Sequence, residues 1–421
     1  AGCELSEGVD PQWRAQLVDE IRRLTGGHPL VKDNSGGAEM YGGHPAEFGT
    51  FEDFHPYCDT PYFSRVLECL APGPREKRPT FLGETNDYDA FRPLHEWKDN
   101  PPYWASADPD LNDQGVRWQH DLPGILDRCQ GELGEWLRER ADRLLASSLS
   151  QSAWMRQQAF DAMRMSAWLD GWVLTGHRHT PISSAGVVDD AGEMVYPVET
   201  VRQWTANTSL LLVPRRTPPW VDGGNRPGWE HPTVRFAGPC LFQVAVHSVA
   251  DLTGSLCWSL AGQGACVEDV AVRALETRMV GTFVVDLAPG QYELRCAFGG
   301  VERAWPVHVV ERRGALPEHV ISGVGTVPRP FFREACYSWE HWPVAEDSWD
   351  VLSLVAGDRC LDPTWLDAEH PGWKPLLVRL DTRTFERLPV VVRAGDKIVT
   401  SLRLKDEWKR NPAAHLLAES L

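Results

Sequence analysis

The sequence has little that would suit it to nucleic acids or membranes. Its 42 lysine and arginine residues are outnumbered by 59 aspartate and glutamate residues, which gives a formal net charge of -17. That balance argues against binding to nucleic acids or anionic lipids. No apolar run approaches the roughly 20 residues of a membrane-spanning helix. The amino terminus also lacks the basic and then apolar pattern of a signal peptide. We therefore expect a soluble chain with a neutral or cationic ligand. The sequence leaves its compartment open between cytoplasmic and exported, because it begins with Ala1 and an upstream signal can have been removed.

Cysteine motifs are missing as well. The ten cysteines form no Cys-x-x-Cys pair and no Cys/His cluster at zinc spacing, so reduced thiols are expected and no metal or cofactor is predicted. A disulfide stays open within one β-rich module, which contains Cys240, Cys257, Cys266 and Cys296. Tryptophan, by contrast, is abundant, with 19 residues. Tryptophans on loops over a pocket can stack on the apolar faces of sugar rings, and packing is the alternative.

The length of 421 residues predicts two to four domains at typical domain sizes. In residues 1–213, strand and helix patterns alternate and polar residues follow the strands, as in parallel α/β proteins. Helices are predicted at 11–24, 61–70, 123–146 and 152–168. The first is amphipathic, with Pro11 in its first turn, Gly26 and Gly27 beyond its end, and an apolar face of Trp13, Leu17, Ile21 and Leu24. Residues 214–230 are a Pro/Gly-rich linker, and 231–312 show the short alternating strands of a β-sandwich. Residues 313–421 form a carboxyl-terminal accessory module, either α/β or β-rich, with strands near 375–380, 389–393 and 397–403 and a final helix after Pro412.

The stretch 80–92 organises the first module. Phe81 and Leu82 are followed at once by Gly83 and Glu84, which is how a buried parallel strand delivers a carboxylate to the open edge of a sheet. A second carboxylate, Glu4, lies just before the predicted helix 11–24, where a preceding strand would end. Two carboxylates on one face of a parallel barrel are what glycosidic cleavage requires.

Five segments carry a resemblance to a known family, and they occur in the family's order. They are Gly2-Cys-Glu-Leu-Ser-Glu-Gly8, His28-Pro-Leu-Val-Lys-Asp-Asn-Ser-Gly36, Asp53-Phe-His-Pro-Tyr57, Phe81-Leu-Gly-Glu-Thr85 and Asp170-Gly-Trp-Val-Leu-Thr175. In this order they resemble the retaining glycoside hydrolases built on a (β/α)8 barrel, most closely the family 2 type related to β-galactosidases, β-mannosidases and β-glucuronidases. Residues 183–190 are similar to the family's turn after the eighth strand. The likeness covers residues 1–205.

The resemblance implies a fold, an activity and a set of site residues. The fold would be a partial (β/α)8 TIM barrel followed by an immunoglobulin-like β-sandwich and the accessory module. Glu4 would be the general acid/base and Glu84 the nucleophile, with a carbohydrate substrate and no cofactor. The other implied site residues are Tyr57 as hydrogen-bond donor to the nucleophile, Asn34, His55, His177 and His179 as polar lining of the sugar pocket, and Trp97 and Trp104 as stacking platforms. Each of these seven also has a plain structural alternative, as a packed aromatic or a satisfied polar loop residue.

The sequence departs from the family in two places. Cys3 stands where relatives carry an asparagine that contacts the sugar's 2-hydroxyl. The chain also begins where the fourth barrel strand should end, so we expect an upstream segment or a second polypeptide to complete the barrel. Two other functions stay open. One is a non-catalytic carbohydrate-binding or scaffolding protein derived from a glycosidase. The other is a metal-dependent hydrolase using His55, His177 and His179, which do not follow zinc-ligand spacing.

Overall fold

A computed structural model describes the following residues: 10–27, 30–32, 47–56, 60–71, 78–85, 88–90, 131–180, 183–216, 229–230, 232–322, 327–328, 387–388, 391–394, 397–400, 404, 408–409 and 411–420. These residues belong to two compact units. The first contains the described residues up to 90 together with 152–204, and the second contains 131–151 and the described residues from 205 onward.

The secondary structure alternates in the first unit and is almost entirely β in the second. The helices are α1 (Pro11–Leu24), α2 (Thr60–Leu70), α3 (Gly131–Met165), α4 (Val198–Trp204) and α5 (Pro412–Ser420). The strands are β1 (Glu52–Phe54), β2 (Thr80–Thr85), β3 (Gly171–Leu174), β4 (Thr208–Leu212), β5 (Arg215–Arg216), β6 (Trp229–Glu230), β7 (Val234–Phe236), β8 (Gly238–Ser248), β9 (Leu252–Leu260), β10 (Gln263–Val272), β11 (Glu276–Leu287), β12 (Gly290–Phe298), β13 (Val301–Val310), β14 (Val320–Ser322), β15 (Val327–Pro328), β16 (Arg387–Leu388), β17 (Val391–Ala394) and β18 (Lys397–Thr400).

A small parallel sheet is the frame of the first unit. Its three strands lie in the order β1-β2-β3, so β2 is central. Hydrogen bonds beyond the ladder fix β2 against β3 at both ends. The side chain of Asp170 accepts from the Thr80 amide at 2.8 Å, and the hydroxyl of Thr175 accepts from the Thr85 amide at 2.8 Å. Because all three strands run the same way, the residues that follow them meet at one edge.

Helix α1 begins and ends where the sequence predicts. The Asp10 side chain accepts from the Gln12 amide, Pro11 occupies the first turn, and Gly26 and Gly27 follow the end with positive φ. The buried face differs from the expected one. Arg14 and Val18 are buried, whereas Trp13 and Leu17, at 49% and 41% exposure, lie outside. Arg14 is held inside by Glu47, 2.9 Å away, and stacks near the Phe48 ring.

Helix α3 is continuous from Gly131 to Met165, where the sequence pattern predicts two helices separated near residue 150. The serine-rich stretch at 147–152 is therefore helical. The carboxyl-terminal half of α3 packs in the first unit, and the guanidinium groups of Arg156 and Arg164 lie over aromatic rings there. The rings belong to Phe160, Trp172, Tyr196 and Trp204. Arg156 and Arg164 also donate to the carbonyls of Ala185 and Trp204 respectively.

Two sheets form a β-sandwich in the second unit. One has the order β10-β9-β12-β13-β7 and the other β11-β8-β4. Alternate residues of the strands point into one shared hydrophobic core, as in Leu294, Cys296 and Phe298 of β12, which are all buried. The recurring short strands therefore appear where the sequence predicts them. Strand β4 joins this sandwich through β8, although it precedes the predicted linker 214–230. The predicted domain boundaries and the immunoglobulin-like topology stay predictions.

A tight hairpin joins β9 to β10. Ala261 and Gly262 both have positive φ, 52° and 76°, as a two-residue type I′ turn requires. The turn places Cys257 directly opposite Cys266, and these two form a disulfide. Cys240 and Cys296 are buried thiols outside this disulfide. Of the four cysteines for which the sequence left a disulfide open, two are thus paired.

Helix α5 lies against the edge of the sandwich formed by β7 and β13. Its His415 is fully buried and stacks on Trp408, with ring centroids 3.8 Å apart. The imidazole Nε2 lies 2.7 Å from the Trp408 carbonyl and so donates to it, and Nδ1 accepts from the Arg313 amide at 3.4 Å. Both nitrogens are therefore used by the neutral ring. The predicted final helix and the strands near 391 and 397 are confirmed, whereas the predicted strand 375–380 lies outside the described residues.

The architecture is mixed α/β, with one small parallel sheet and larger antiparallel sheets. Among the residues that the structure describes, no closed barrel is formed, so the partial barrel beyond β1, β2 and β3 stays a prediction. None of the described helices has both the length and the apolar character needed to cross a bilayer.

Candidate functional site

Glu84 lies at the carboxyl end of the central parallel strand, where the sequence predicts it. Leu82 and Thr85, which lie on either side of Glu84 in this strand, are almost fully inaccessible to solvent and anchor it. The Glu84 side chain is 42% exposed. A carboxylate on a rigid strand end is thus presented at the open edge of the sheet.

His55 approaches Glu84 from the neighbouring strand. The ring follows β1 directly, is only 4% exposed, and its Nδ1 lies 3.6 Å from Oε2 of Glu84. On its other side, Nε2 lies 3.3 Å from Oδ2 of Asp53. Asp53 and His55 are two residues apart on an extended segment, so their side chains point to the same face of the sheet. The imidazole is therefore between two carboxylates.

Asp53 is the most deeply buried carboxylate of this group, with a side chain 1% exposed. Lys32 makes an ion pair with the same oxygen that faces His55. Burial alone would raise the pKa of the Asp53 carboxyl, but the hydrogen bonds from His55 and Lys32 outweigh it and hold that pKa below its ordinary value. Asp53 is consequently ionised at neutral pH.

The backbone brings Lys32 to Asp53 through a short extended segment. The Val31 amide donates to the Thr50 hydroxyl at 2.9 Å, and the Thr50 amide donates to the Val31 carbonyl at 2.7 Å. Thr50 lies two residues before β1, so this pairing places residue 32 alongside that strand. The Lys32 side chain is 32% exposed, so it stays partly in water while its ammonium group neutralises a buried charge.

Gly83 makes room for the Asp53 carboxylate. A Cβ built at Gly83 would lie 2.8 Å from Cγ and 2.9 Å from Oδ2 of Asp53, closer than real side chains approach. The glycine directly before Glu84 is therefore a packing requirement, which lets the carboxylate of β1 lie against the backbone of β2.

The loops that follow β2 and β3 are joined beyond this edge. One carboxylate oxygen of Asp89 accepts from the Ser184 amide, from the Ser184 hydroxyl at 3.0 Å and from the Ser183 hydroxyl at 3.1 Å. The Ser184 hydroxyl also lies 2.6 Å from the Ala90 carbonyl. These contacts fix residues 88–90 against residues 183–184, so the two loops hold each other in place.

His177 and His179 lie in the loop after β3 and differ from each other. His177 is exposed, whereas His179 is buried and its Nδ1 accepts from the Gly186 amide at 3.1 Å. The backbone of Gly186 lies so close to the backbone of residues 178 and 179 that a side chain at position 186 would overlap those residues. The hydrogen bond between the Gly186 amide and His179 thus orders the loop that contains both residues.

The other predicted site residues lie outside the described part of the chain. These are Glu4, Asn34, Tyr57, Trp97 and Trp104, so their roles stay predictions. The structure brings together Glu84 and His55. It adds Asp53 and Lys32, to which the sequence analysis gave no role, although the spacing of Asp53 and His55 on one strand is a signal that was available. Across the described residues, no group of three or more His, Cys, Asp or Glu side chains is arranged to hold a metal ion.

Comparisons with known proteins find distant likenesses to solved structures. No protein-family model and no curated protein sequence matches the chain. Among solved structures, a β-D-mannosidase from Dictyoglomus thermophilum matches with 10% identity and a TM-score of 0.36, covering 64% of this chain and 32% of that one. An FMN-binding β-glucuronidase from Facaelibacterium prausnitzii L2-6 matches with 10% identity and a TM-score of 0.25, covering 72% and 39%.

An endo-β-1,4-mannanase from Thermotoga petrophila matches with 12% identity and a TM-score of 0.24, covering 71% of this chain and 61% of that one. The chain thus spans about a third of the length of the mannosidase and about two fifths of the glucuronidase. These are distant structural similarities to glycosidases, and at such scores they assign neither activity nor substrate to this chain.

Proposed function

We propose that the chain is the catalytic part of a retaining β-glycosidase, with Glu84 as nucleophile and Glu4 as general acid/base. The single observation that carries the proposal is the position of Glu84. It is a solvent-accessible carboxylate at the end of a central parallel strand, with a histidine from the next strand beside it. Carboxylates at such strand ends are where parallel barrel enzymes keep their reactive groups.

The proposed reaction has two steps. In the first, a carboxylate oxygen of Glu84 bonds to the anomeric carbon while the glycosidic oxygen leaves with a proton from Glu4. In the second, Glu4 takes a proton from water, and the water oxygen displaces Glu84 from the same carbon. Retention requires the two carboxyl groups to lie about 5–5.5 Å apart. Glu84 must be ionised at the start, and Glu4 protonated.

The other predicted site residues have supporting roles in this proposal. Tyr57 donates a hydrogen bond to Glu84, and Asn34, His55, His177 and His179 line the sugar site. Trp97 and Trp104 provide stacking surfaces. The described parallel sheet has three strands, so the proposal also requires further strands, from other parts of the chain, an upstream segment or a second polypeptide. Native mass spectrometry of the active species distinguishes a monomer of this length from a complex.

The test uses aryl β-glycosides of several sugars as substrates. Glu84→Gln is expected to lower kcat/KM by at least about a thousandfold, because the amide cannot attack the anomeric carbon. Glu52→Gln is the matched control, since Glu52 lies on β1 and forms an ion pair with Arg78 at 4.0 Å. That variant should retain wild-type activity.

A trapping experiment identifies the nucleophile directly. A 2-deoxy-2-fluoro glycoside with a good leaving group should add one sugar to the wild-type protein, and peptide mass spectrometry should locate it on Glu84. Full activity of Glu84→Gln would remove Glu84 from the mechanism. Saturable binding of an oligosaccharide without any turnover, unchanged in Glu84→Gln, would instead support the non-catalytic carbohydrate-binding alternative.

A further inference from the structure

The buried carboxylate of Asp53 fixes the hydrogen on its neighbour. An ionised carboxylate can only accept hydrogen bonds, and Oδ2 of Asp53 already faces the Lys32 ammonium. The His55 Nε2 that lies 3.3 Å from the same oxygen must therefore carry a proton. Asp53 thus fixes a proton on Nε2, the ring nitrogen that faces away from Glu84.

This leaves the other ring nitrogen to face Glu84. With Nε2 protonated, Nδ1 at 3.6 Å from Oε2 is beyond hydrogen-bond distance, but the two groups attract each other when the pair carries one proton. Imidazoles bind a proton more strongly than carboxylates do, so this proton rests on Nδ1. The ring is then an imidazolium between the side chains of Asp53 and Glu84.

We propose that Asp53 is a positioning residue for Glu84, and that it acts by holding His55 as an imidazolium whose Nδ1–H points at the Glu84 carboxylate. This inference deepens the proposed function and rests on it for its catalytic meaning. The protonation of His55 itself is independent of any turnover. The arrangement involves no bond to carbon. It holds one proton between Nδ1 of His55 and Oε2 of Glu84.

Charged side chains among the described residues act on the ring in both directions. Asp53 and Glu84 favour its charged form, because opposite charges within about 4–6 Å stabilise each other. Lys32 acts against it as a like charge, but it is paired with Asp53 and partly exposed. The burial of the ring also opposes the charge. The proposal requires the two carboxylates, which lie 3.3 and 3.6 Å from the ring nitrogens, to outweigh these effects.

The experiment follows the titration of the His55 ring by NMR in protein with isotope-labelled histidine. The chain has 14 histidines, and the signal that disappears in His55→Gln identifies the right one. Asp53→Asn is expected to lower the midpoint of the His55 titration by about one to two pH units, since it removes one negative charge and keeps the shape. Lys32→Met is expected to raise it, because it removes a like charge.

The two variants are expected to shift the His55 midpoint in opposite directions. Damage to the fold would instead move the midpoint of both variants toward that of an exposed histidine, so the test distinguishes the two causes. Glu52→Gln, on the same strand, is the control and should leave the midpoint unchanged. A wild-type midpoint that neither Asp53→Asn nor Lys32→Met shifts would overturn the inference.

Activity measurements then distinguish a failure of this inference from a failure of the proposed function. In a working glycosidase, Asp53→Asn should reduce kcat on the order of ten- to a hundredfold, and the alkaline limb of the pH profile should move down together with the His55 midpoint. If turnover is absent but both midpoints shift as stated, the proposed function fails and the positioning of His55 stands. If turnover depends on Glu84 but the midpoints do not move, the function stands and the role of Asp53 fails.

Discussion

Substitution of Gly83 by alanine tests the packing on which the candidate site depends. The added methyl group would lie 2.8 Å from Cγ and 2.9 Å from Oδ2 of Asp53. The carboxylate cannot simply turn away, because its side chain is buried and paired with Lys32 and His55. The register of β1 on β2 also holds Asp53 opposite Phe81. One of these contacts must therefore be given up.

The expected cost follows from two opposing effects. Overpacking of a close-packed site costs about 1–3 kcal/mol. Replacing glycine by alanine recovers about 0.4–1 kcal/mol, because the unfolded chain becomes less flexible. The net loss should be about 1–2 kcal/mol, which lowers the protection of the backbone amides of β1 and β2 against hydrogen exchange by about 5- to 30-fold.

Hydrogen exchange measured by mass spectrometry resolves this effect by segment. Gly254→Ala is the matched control, since Gly254 also lies within a strand and its added Cβ would meet nothing closer than 3.6 Å. We expect faster exchange in β1 and β2 of Gly83→Ala, with no change in β8 of the sandwich. Equal protection of β1 and β2 in Gly83→Ala and wild type would show that Asp53 does not pack against β2 as described.

Four further predictions concern other parts of the structure. Burial lowers the pKa of His415, so the unfolded helix takes up a proton that the folded one does not, and the docking of α5 should weaken as the pH falls below about 6.5. Amide protection of residues 412–420, corrected for intrinsic exchange, should show this loss in wild type and not in His415→Gln. Asp89→Asn should cost about 1–2 kcal/mol and speed exchange in residues 183–187, because a charged acceptor of three hydrogen bonds is lost; normal exchange there would contradict the joined loops. Peptide mapping should find Cys257 linked to Cys266, and reduction should cost about 2–3 kcal/mol. Burial raises the pKa of Cys296 to about 12, so this thiol should resist alkylation until the sandwich unfolds, and rapid labelling in the native state would refute its burial.

Local signals in the sequence predicted the ends of elements well. Pro11 and the Gly26-Gly27 pair mark the two ends of α1, because proline fits a first turn and glycine accepts the positive φ that follows a helix. The strand ending near Glu84 was predicted from a short apolar run followed by glycine. These signals act within a few residues, so the chain alone is enough to read them.

Features that depend on distant contacts were not predicted. The apolar stripe of α1 suggested that Trp13 and Leu17 are buried, but Arg14 lies inside because Glu47 and Phe48 meet its guanidinium group. The break expected near residue 150 does not occur in α3. Weak helix propensity in a serine-rich stretch is readily overridden by tertiary packing.

The candidate site was predicted in part. Glu84 and His55 came from their order and from strand position, and the structure brings them within 3.6 Å. The involvement of Lys32 depends on the pairing of Val31 with Thr50, a contact that no local pattern indicates. The disulfide was available in principle, because Cys257 and Cys266 are equally distant from the Ala261-Gly262 turn and a two-residue hairpin places such positions opposite each other.

The fit of the Asp53 carboxylate against Gly83 also has an evolutionary consequence. The two positions should not vary independently, since a side chain at 83 would overlap the Asp53 carboxylate. Replacement of Asp53 by a smaller residue would leave the lysine at 32 without this acidic partner. Among homologous sequences, glycine at 83, aspartate at 53 and a basic residue at 32 should therefore be inherited or lost as a set.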